Sequence, residues 1–136
     1  MNLEYIFKIL DKEEWTKAKN SGVYSGSSKD LEDGYIHFSE EDQVLETLKK
    51  YFSKQNDLIL LKVHTLHLDH LLWEQASNGD MYPHLYSPLD IKNVKDEFEL
   101  NLNENGIHQL PDNFKKYKSF LTYSSQIIDH HYTNYN

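Results

Sequence analysis

The chain has 136 residues, a net charge of −8, no cysteine, and 14 basic residues that are all lysine. This length suggests one domain. The missing cysteines exclude disulfides, thiolate metal sites and a cysteine nucleophile, and an acidic, arginine-free chain is poorly suited to gripping duplex nucleic acid by its phosphates. Hydrophobic residues make up 38% and mean hydropathy is −0.75, which implies a modest core and a polar surface. No apolar run approaches the ~20 residues of a membrane-spanning helix. No basic stretch precedes an apolar one near Met1, so no secretory signal is expected. The expectation is a cytoplasmic protein with no membrane partner.

Tyr5 to Leu10 is apolar except for Lys8, the pattern of a strand covered on both faces. Asp11 and Glu14 stand at capping-box spacing, Trp15 and Ala18 form an apolar stripe, and Gly22 supplies a stop, so a helix follows. Tyr24-Ser25-Gly26-Ser27-Ser28 reads as a loop without the spacing of a phosphate-binding glycine loop. Lys29 to Gly34 reads as polar and turn-rich. Tyr35 to Ser39 reads as a short strand, with Ile36 and Phe38 facing a core and Tyr35, His37 and Ser39 facing away. An imidazole and a hydroxyl at the end of a strand, where a helix begins, mark a common place for a ligand cleft. Ser39 and Asp42 also stand at capping-box spacing, so a plain helix cap is the alternative role for Ser39. The helix beyond carries Val44, Leu45, Leu48, Tyr51 and Phe52 on one stripe. Glu40, Glu41 and Asp42 complement the start of that helix and oppose a second anion there.

Asp57 to Val63 reads as a central strand buried on both faces. Leu66 to Trp73 reads as a short helical turn. Pro83 and Pro88 make Tyr82 to Leu89 an edge strand or an ordered loop, with Tyr82, His84 and Tyr86 on one side. Ile91 to Val94 reads as a short helical turn, and Val94 to Leu102 as a strand with Val94, Phe98, Leu100 and Leu102 on one face. Asn105-Gly106 marks a hairpin. Pro111 ends the compact unit, giving a domain over 1–111 and a C-terminal extension over 112–136, helical from Asn113 to Leu121 and then a polar tail.

Eight histidines are present. His64, His67 and His70 lack the accompanying spacing of a zinc motif and read as strand-end and turn positions; no metal is expected. His37 and His84 each sit among apolar residues in a β-like segment, where a histidine is most often a satisfied core residue. With Glu74 beside Trp73 they suggest a shared cleft. Glu74 reads either as a carboxylate raised by burial against Trp73 or as a salt-bridge residue. A triad of Ser39, His84 and Glu74 lacks the Gly-x-Ser-x-Gly elbow.

Several motifs in order resemble the small bacterial family called domain of unknown function 952. They are Tyr5-Ile6-Phe7-Lys8-Ile9, Trp15 with Gly22-Val23-Tyr24-x-Gly26-Ser27, Asp33-Gly34-Tyr35-Ile36-His37-Phe38-Ser39 with Gln43, Trp73-Glu74, and Tyr82-Pro83-His84-Leu85-Tyr86-x-Pro88-Leu89. The resemblance implies an α+β, ADP-ribosyltransferase-like split β-sheet with short helices, whose cleft in active relatives holds NAD. A more distant likeness is to RNA 2′-phosphotransferases, where His37 and Ser39 match a His-x-His-Leu-Ser strand end and Tyr35 replaces its first histidine. The residue reading and this resemblance together make His37, Glu74 and His84 the candidate catalytic residues, with Glu74 and Tyr86 assigned by residue type and not by a matched motif. The candidate substrate-binding residues are Tyr24, Ser27, Ser39 and Tyr86. The expected substrate is NAD or a related small nucleotide, and the expected reaction is ADP-ribosyl or related glycosyl transfer. The alternative is a non-catalytic module that binds a small molecule or a protein on the same fold, a reading the missing arginines favour.

Overall fold

The computed structural model of the protein describes residues 4–114. The two apolar runs form its spine. β1 (Tyr5–Asp11) and β4 (Leu58–His64) pair antiparallel, with Tyr5 opposite His64 and Asp11 opposite Leu58. Alternation divides their side chains between two cores. Ile6, Leu10, Ile59, Leu61 and Val63 face one, and Tyr5, Phe7, Ile9, Leu58 and Leu60 face the other. Trp15 and Ala18 of α1 (Lys12–Ser21) pack into the first core. Asp11 caps this helix by accepting from the Glu13 N–H at 2.7 Å, and Gly22 ends it with φ of 90°. Val44 and Leu48 of α3 (Val44–Tyr51) pack into the second.

β2 (Val23–Tyr24) and α2 (Ser28–Asp33) lead into β3 (Ile36–His37). β5 (Leu71–Gln75) and β6 (Met81–Leu85) complete a three-stranded sheet of order β3-β6-β5. β7 (Leu89–Asp90) pairs with β2. β8 (Val94–Leu102) and β9 (His108–Gln109) extend the main sheet to the order β1-β4-β8-β9. The two larger sheets meet at one bridge, where Phe7 and Ser39 exchange two backbone hydrogen bonds of 2.8 Å. The protein is thus an α+β domain of antiparallel sheets and short helices.

Six local expectations change. Lys29 to Gly34 is not an open turn but most of α2, capped by Ser27 and ended by Gly34. Ser39 does not cap the next helix. Its backbone is engaged with Phe7 and its hydroxyl lies 2.9 Å from Thr47 Oγ1, and the Glu40 N–H donates to Gln43 Oε1 instead. The α3 stripe is narrower than its pattern, since Leu45 and Tyr51 are exposed. Leu71–Gln75 is a strand and not a helical turn. Tyr82-Pro83 lies in the middle strand of its sheet and not at an edge. The proline fits because β3 is so short: beyond His37, β6 contributes only the Pro83 carbonyl, which accepts from Phe38 N–H at 3.0 Å. Val94 also leaves the face of Phe98, because a bulge shifts the register from Lys62–Asp96 to Val63–Val94 and reverses the alternation.

The hairpin at Asn105-Gly106 forms as read, with Gly106 N–H donating to the Asn103 carbonyl at 2.9 Å. Packing continues past Pro111, since Phe114 is 4% exposed and its ring meets Phe7 edge-on at 5.7 Å. The rest of the expected extension, 115–136, lies outside the described residues. Phe114→Ala is expected to cost about 3–5 kcal/mol by opening a cavity beside Phe7, measured by urea denaturation.

Candidate functional site

The site is built on a lysine in the wrong place. Alternation along β1 points Lys8 to the same side as Ile6 and Leu10, and it is 5% exposed. An ammonium there requires a partner. Asp30 on α2 supplies it, with Lys8 Nζ donating to Asp30 Oδ2 at 2.8 Å and to the His37 carbonyl at 3.0 Å. Asp30 also accepts from Ser27 N–H at 2.9 Å and from His37 N–H at 3.2 Å, and its Oδ1 lies 2.6 Å from His37 Nδ1. Burial opposes its charge, but the His37 hydrogen bond, the Lys8 ammonium and the Ser27 N–H outweigh that cost and hold its carboxyl well below the usual range. Burial pulls the Lys8 ammonium down, with Asp30 acting against it. Gly26 is required here. Its φ is 118°, and a Cβ would stand 2.8 Å from the Asp30 Cβ.

Asp30 thereby fixes His37. The other ring nitrogen, Nε2, lies 3.0 Å from Asp33 Oδ2, and Lys29 Nζ reaches the same carboxylate oxygen at 3.2 Å. Pairing of β3 with β6 sets His84 directly opposite His37, and the ring centroids are 5.6 Å apart. His84 Nδ1 lies 2.6 Å from Glu74 Oε1, and the Tyr86 hydroxyl donates to the same oxygen at 2.7 Å. The Tyr35 ring stacks on His84 at 4.1 Å and meets His37 at 4.6 Å and Tyr86 at 5.1 Å. A cavity of about 580 Å³ opens over this wall, lined among others by Ser27, Asp33, Tyr35, His37, Tyr82 and His84.

Strand alternation explains the division of labour. Leu71, Trp73 and Leu85 face the first core, whereas Glu74, Tyr82 and His84 face the other way. Glu74 is therefore not raised by burial against Trp73, whose Nε1–H instead donates to Glu40 Oε2 at 2.7 Å. Tyr86 and His84 hydrogen bonds lower the Glu74 carboxyl, and the same bond pushes the Tyr86 phenol up to about 12. His84 Nε2 has no hydrogen-bond partner among the described residues, and in the neutral ring whose Nδ1 donates to Glu74 it carries a lone pair. Such a carboxylate–histidine pair has the parts of a general base.

Of the residues singled out in the sequence, His37, His84, Glu74 and Tyr86 converge. Ser27 stands at the rim, but its hydroxyl caps α2 by accepting from Asp30 N–H at 3.1 Å. Ser39 is 3% exposed and bonded to Thr47. Tyr24 lies elsewhere. It is 4% exposed, donates to Glu14 at 3.5 Å and borders a separate depression with Lys17 and Ser21. Lys8, Asp30, Asp33 and Tyr35 were not singled out. Two signals point to them: Lys8 is the lone break in an apolar strand, and Ser27-x-x-Asp30 before Gly34 is capping-box spacing. Among the described residues no group of histidine or acidic side chains stands ready to hold a metal ion, and His64 instead lies 3.5 Å from Glu4. No described helix is long and apolar enough to cross a membrane.

The model of the family DUF952, described as a protein of unknown function, matches residues 9–97. The chain belongs to this family. The DUF952 span contains Asp30, Asp33, Tyr35, His37, Glu74, Tyr82, His84 and Tyr86, and Lys8 lies one position before it. The crystal structure of CC0527 from Caulobacter crescentus is similar, with a TM-score of 0.75 and 43% identity over 80% of this chain and 96% of that one. The solution structure of CC0527 matches with a TM-score of 0.72 and 42% identity over 81% and 96%. No curated protein matches the chain.

Lys8→Met is expected to destabilise the fold by about 3–5 kcal/mol, because it leaves Asp30 charged and buried without its ammonium. The double variant with Asp30→Asn should cost less than the two single changes added, as read from a double-mutant cycle in urea. Because the Asp30 carboxyl is depressed in the folded state, its stabilisation is present above about pH 4 and is lost as pH falls toward the folded value. The stability gap between the unaltered protein and Asp30→Asn should stay level from about pH 5 to 7 and shrink below about pH 4.

Proposed function

We propose that the cleft binds a nucleotide of the NAD type on an ADP-ribosyltransferase-like fold, and that the protein transfers the ADP-ribosyl or a related glycosyl group. The observation that carries this reading is the convergence of His37 and His84 on a cavity lined by Tyr35 and Tyr82, with Glu74 behind His84 at 2.6 Å. The split sheet, bridged where Phe7 meets Ser39, supports the same reading.

The chemistry follows from charge. The bond between nicotinamide and ribose breaks with its electron pair leaving on nicotinamide, and positive charge grows on the ribose. Glu74, kept ionised by Tyr86 and His84, supplies the opposing charge. His37 faces the ribose hydroxyls. Tyr35 and Tyr86 offer ring faces to the nicotinamide. His84 Nε2 takes the proton of the attacking acceptor. A second reading, a binding module without catalysis, is favoured by the arginine-free composition, which leaves phosphates to lysines such as Lys29 and Lys50 at the cavity edge.

Calorimetric titration with NAD and ADP-ribose, paired with an assay of nicotinamide release, tests both. The transferase reading expects binding of both ligands, at least tenfold weaker binding in His37→Ala, and release that falls in His84→Ala and in Glu74→Gln. Binding without release would establish the module. Failure of both ligands to bind would sink the nucleotide reading.

A further inference from the structure

We propose that Asp33 is an internal competitor for the cleft, its carboxylate standing on His37 Nε2 where an acceptor oxygen of the ligand binds. The proposal rests on the reading of the cleft as a nucleotide site and adds a residue that governs its affinity.

The two carboxylates on His37 are not equivalent. Asp30 is 2% exposed, is held by Lys8 and Ser27 as well as by His37, and cannot leave without breaking a buried ion pair. Asp33 sits on the last turn of α2 with its side chain 29% exposed, at the cavity edge. A neutral imidazole has one N–H to give, and an imidazolium has two. With Nδ1 on Asp30 at 2.6 Å, the 3.0 Å contact to Asp33 is a hydrogen bond only if Nε2 also carries a proton. In the imidazolium form His37 presents a donor to the cleft, and the carboxylate of the same protein stands 3.0 Å from it.

That occupancy is exchangeable. The Asp33–His37 pair is a half-exposed contact four residues apart in sequence, of the kind that contributes little. Asp33 also has a second partner, since Lys29 Nζ already lies 3.2 Å from the same oxygen. Release of Nε2 leaves Asp33 paired with Lys29 and His37 paired with Asp30. The incoming group is a hydrogen-bond-accepting oxygen, from a ribose hydroxyl or a phosphate.

The test compares the unaltered protein, Asp33→Ala and the double variant Asp33→Ala/His37→Gln. Asp33→Ala is expected to bind ADP-ribose about fivefold more tightly, the fold-change that corresponds to losing one weak competing ion pair. The gain should vanish in the double variant. Equal or weaker binding in Asp33→Ala overturns the proposal, and so does a gain that survives loss of His37, because that gain would come from net charge alone. If ADP-ribose binds neither protein, the nucleotide reading falls and inorganic phosphate becomes the probe, followed by the ring resonances of His37 in NMR spectra. The proposal then expects phosphate to shift those resonances at lower concentration in Asp33→Ala than in the unaltered protein, and identical titrations overturn it. Response to ADP-ribose but not to phosphate identifies the ribose hydroxyl as the bound oxygen, and response to both identifies the phosphate.

Discussion

The ion pair between Lys8 and Asp30 is the constraint on which the rest of the site depends. It joins the central sheet to a helix of only six residues, Ser28–Asp33, too short to hold itself in water. The same aspartate caps that helix, grips the backbone of His37 and orients its ring. Local structure, packing and site geometry thus share one carboxylate. The buried charge is tolerated because four donors surround it, and removing any of them leaves the others facing an incompletely satisfied anion.

The two halves of the cleft come from different stretches of chain and are assembled by strand pairing. His37 arrives from β3 with its helix-borne carboxylates, and His84 arrives from β6 with Glu74 and Tyr86. Each histidine has its own acidic partner on Nδ1, yet the surroundings differ. One ring is boxed between two carboxylates, and the other has a nitrogen, Nε2, with no hydrogen-bond partner among the described residues. The two imidazoles are suited to different tasks, one to holding a group and the other to moving a proton.

The legible part of this molecule was what alternation and capping encode. The strands at Tyr5 and Leu58, the first helix with its Asp11 cap, the hairpin at Asn105 and the shared side of Tyr82, His84 and Tyr86 all follow from short-range periodicity. The sequence also named both histidines and their glutamate. Asp30 stayed hidden because its importance is a long-range fact: it lies 22 residues from Lys8, and nothing local to either reveals the other. Tyr24 stands apart for the same reason, since Ser27, three residues on, borders the cleft while the Tyr24 ring is buried beside Glu14. Pro83 misled because a proline normally marks an edge, and the exception rests on how little of β6 the two-residue β3 covers.

That proline has a further consequence. A strand can slip by one residue along its neighbour, and every side chain then changes face. In β6 such a slip would turn His84 into the core and bring Leu85 into the cleft. It would also set the ring nitrogen of Pro83 against a position that asks for a donor. One residue without an N–H therefore acts as an index mark on the strand, so that the facing of the two histidines is fixed by the pairing itself before any ligand arrives.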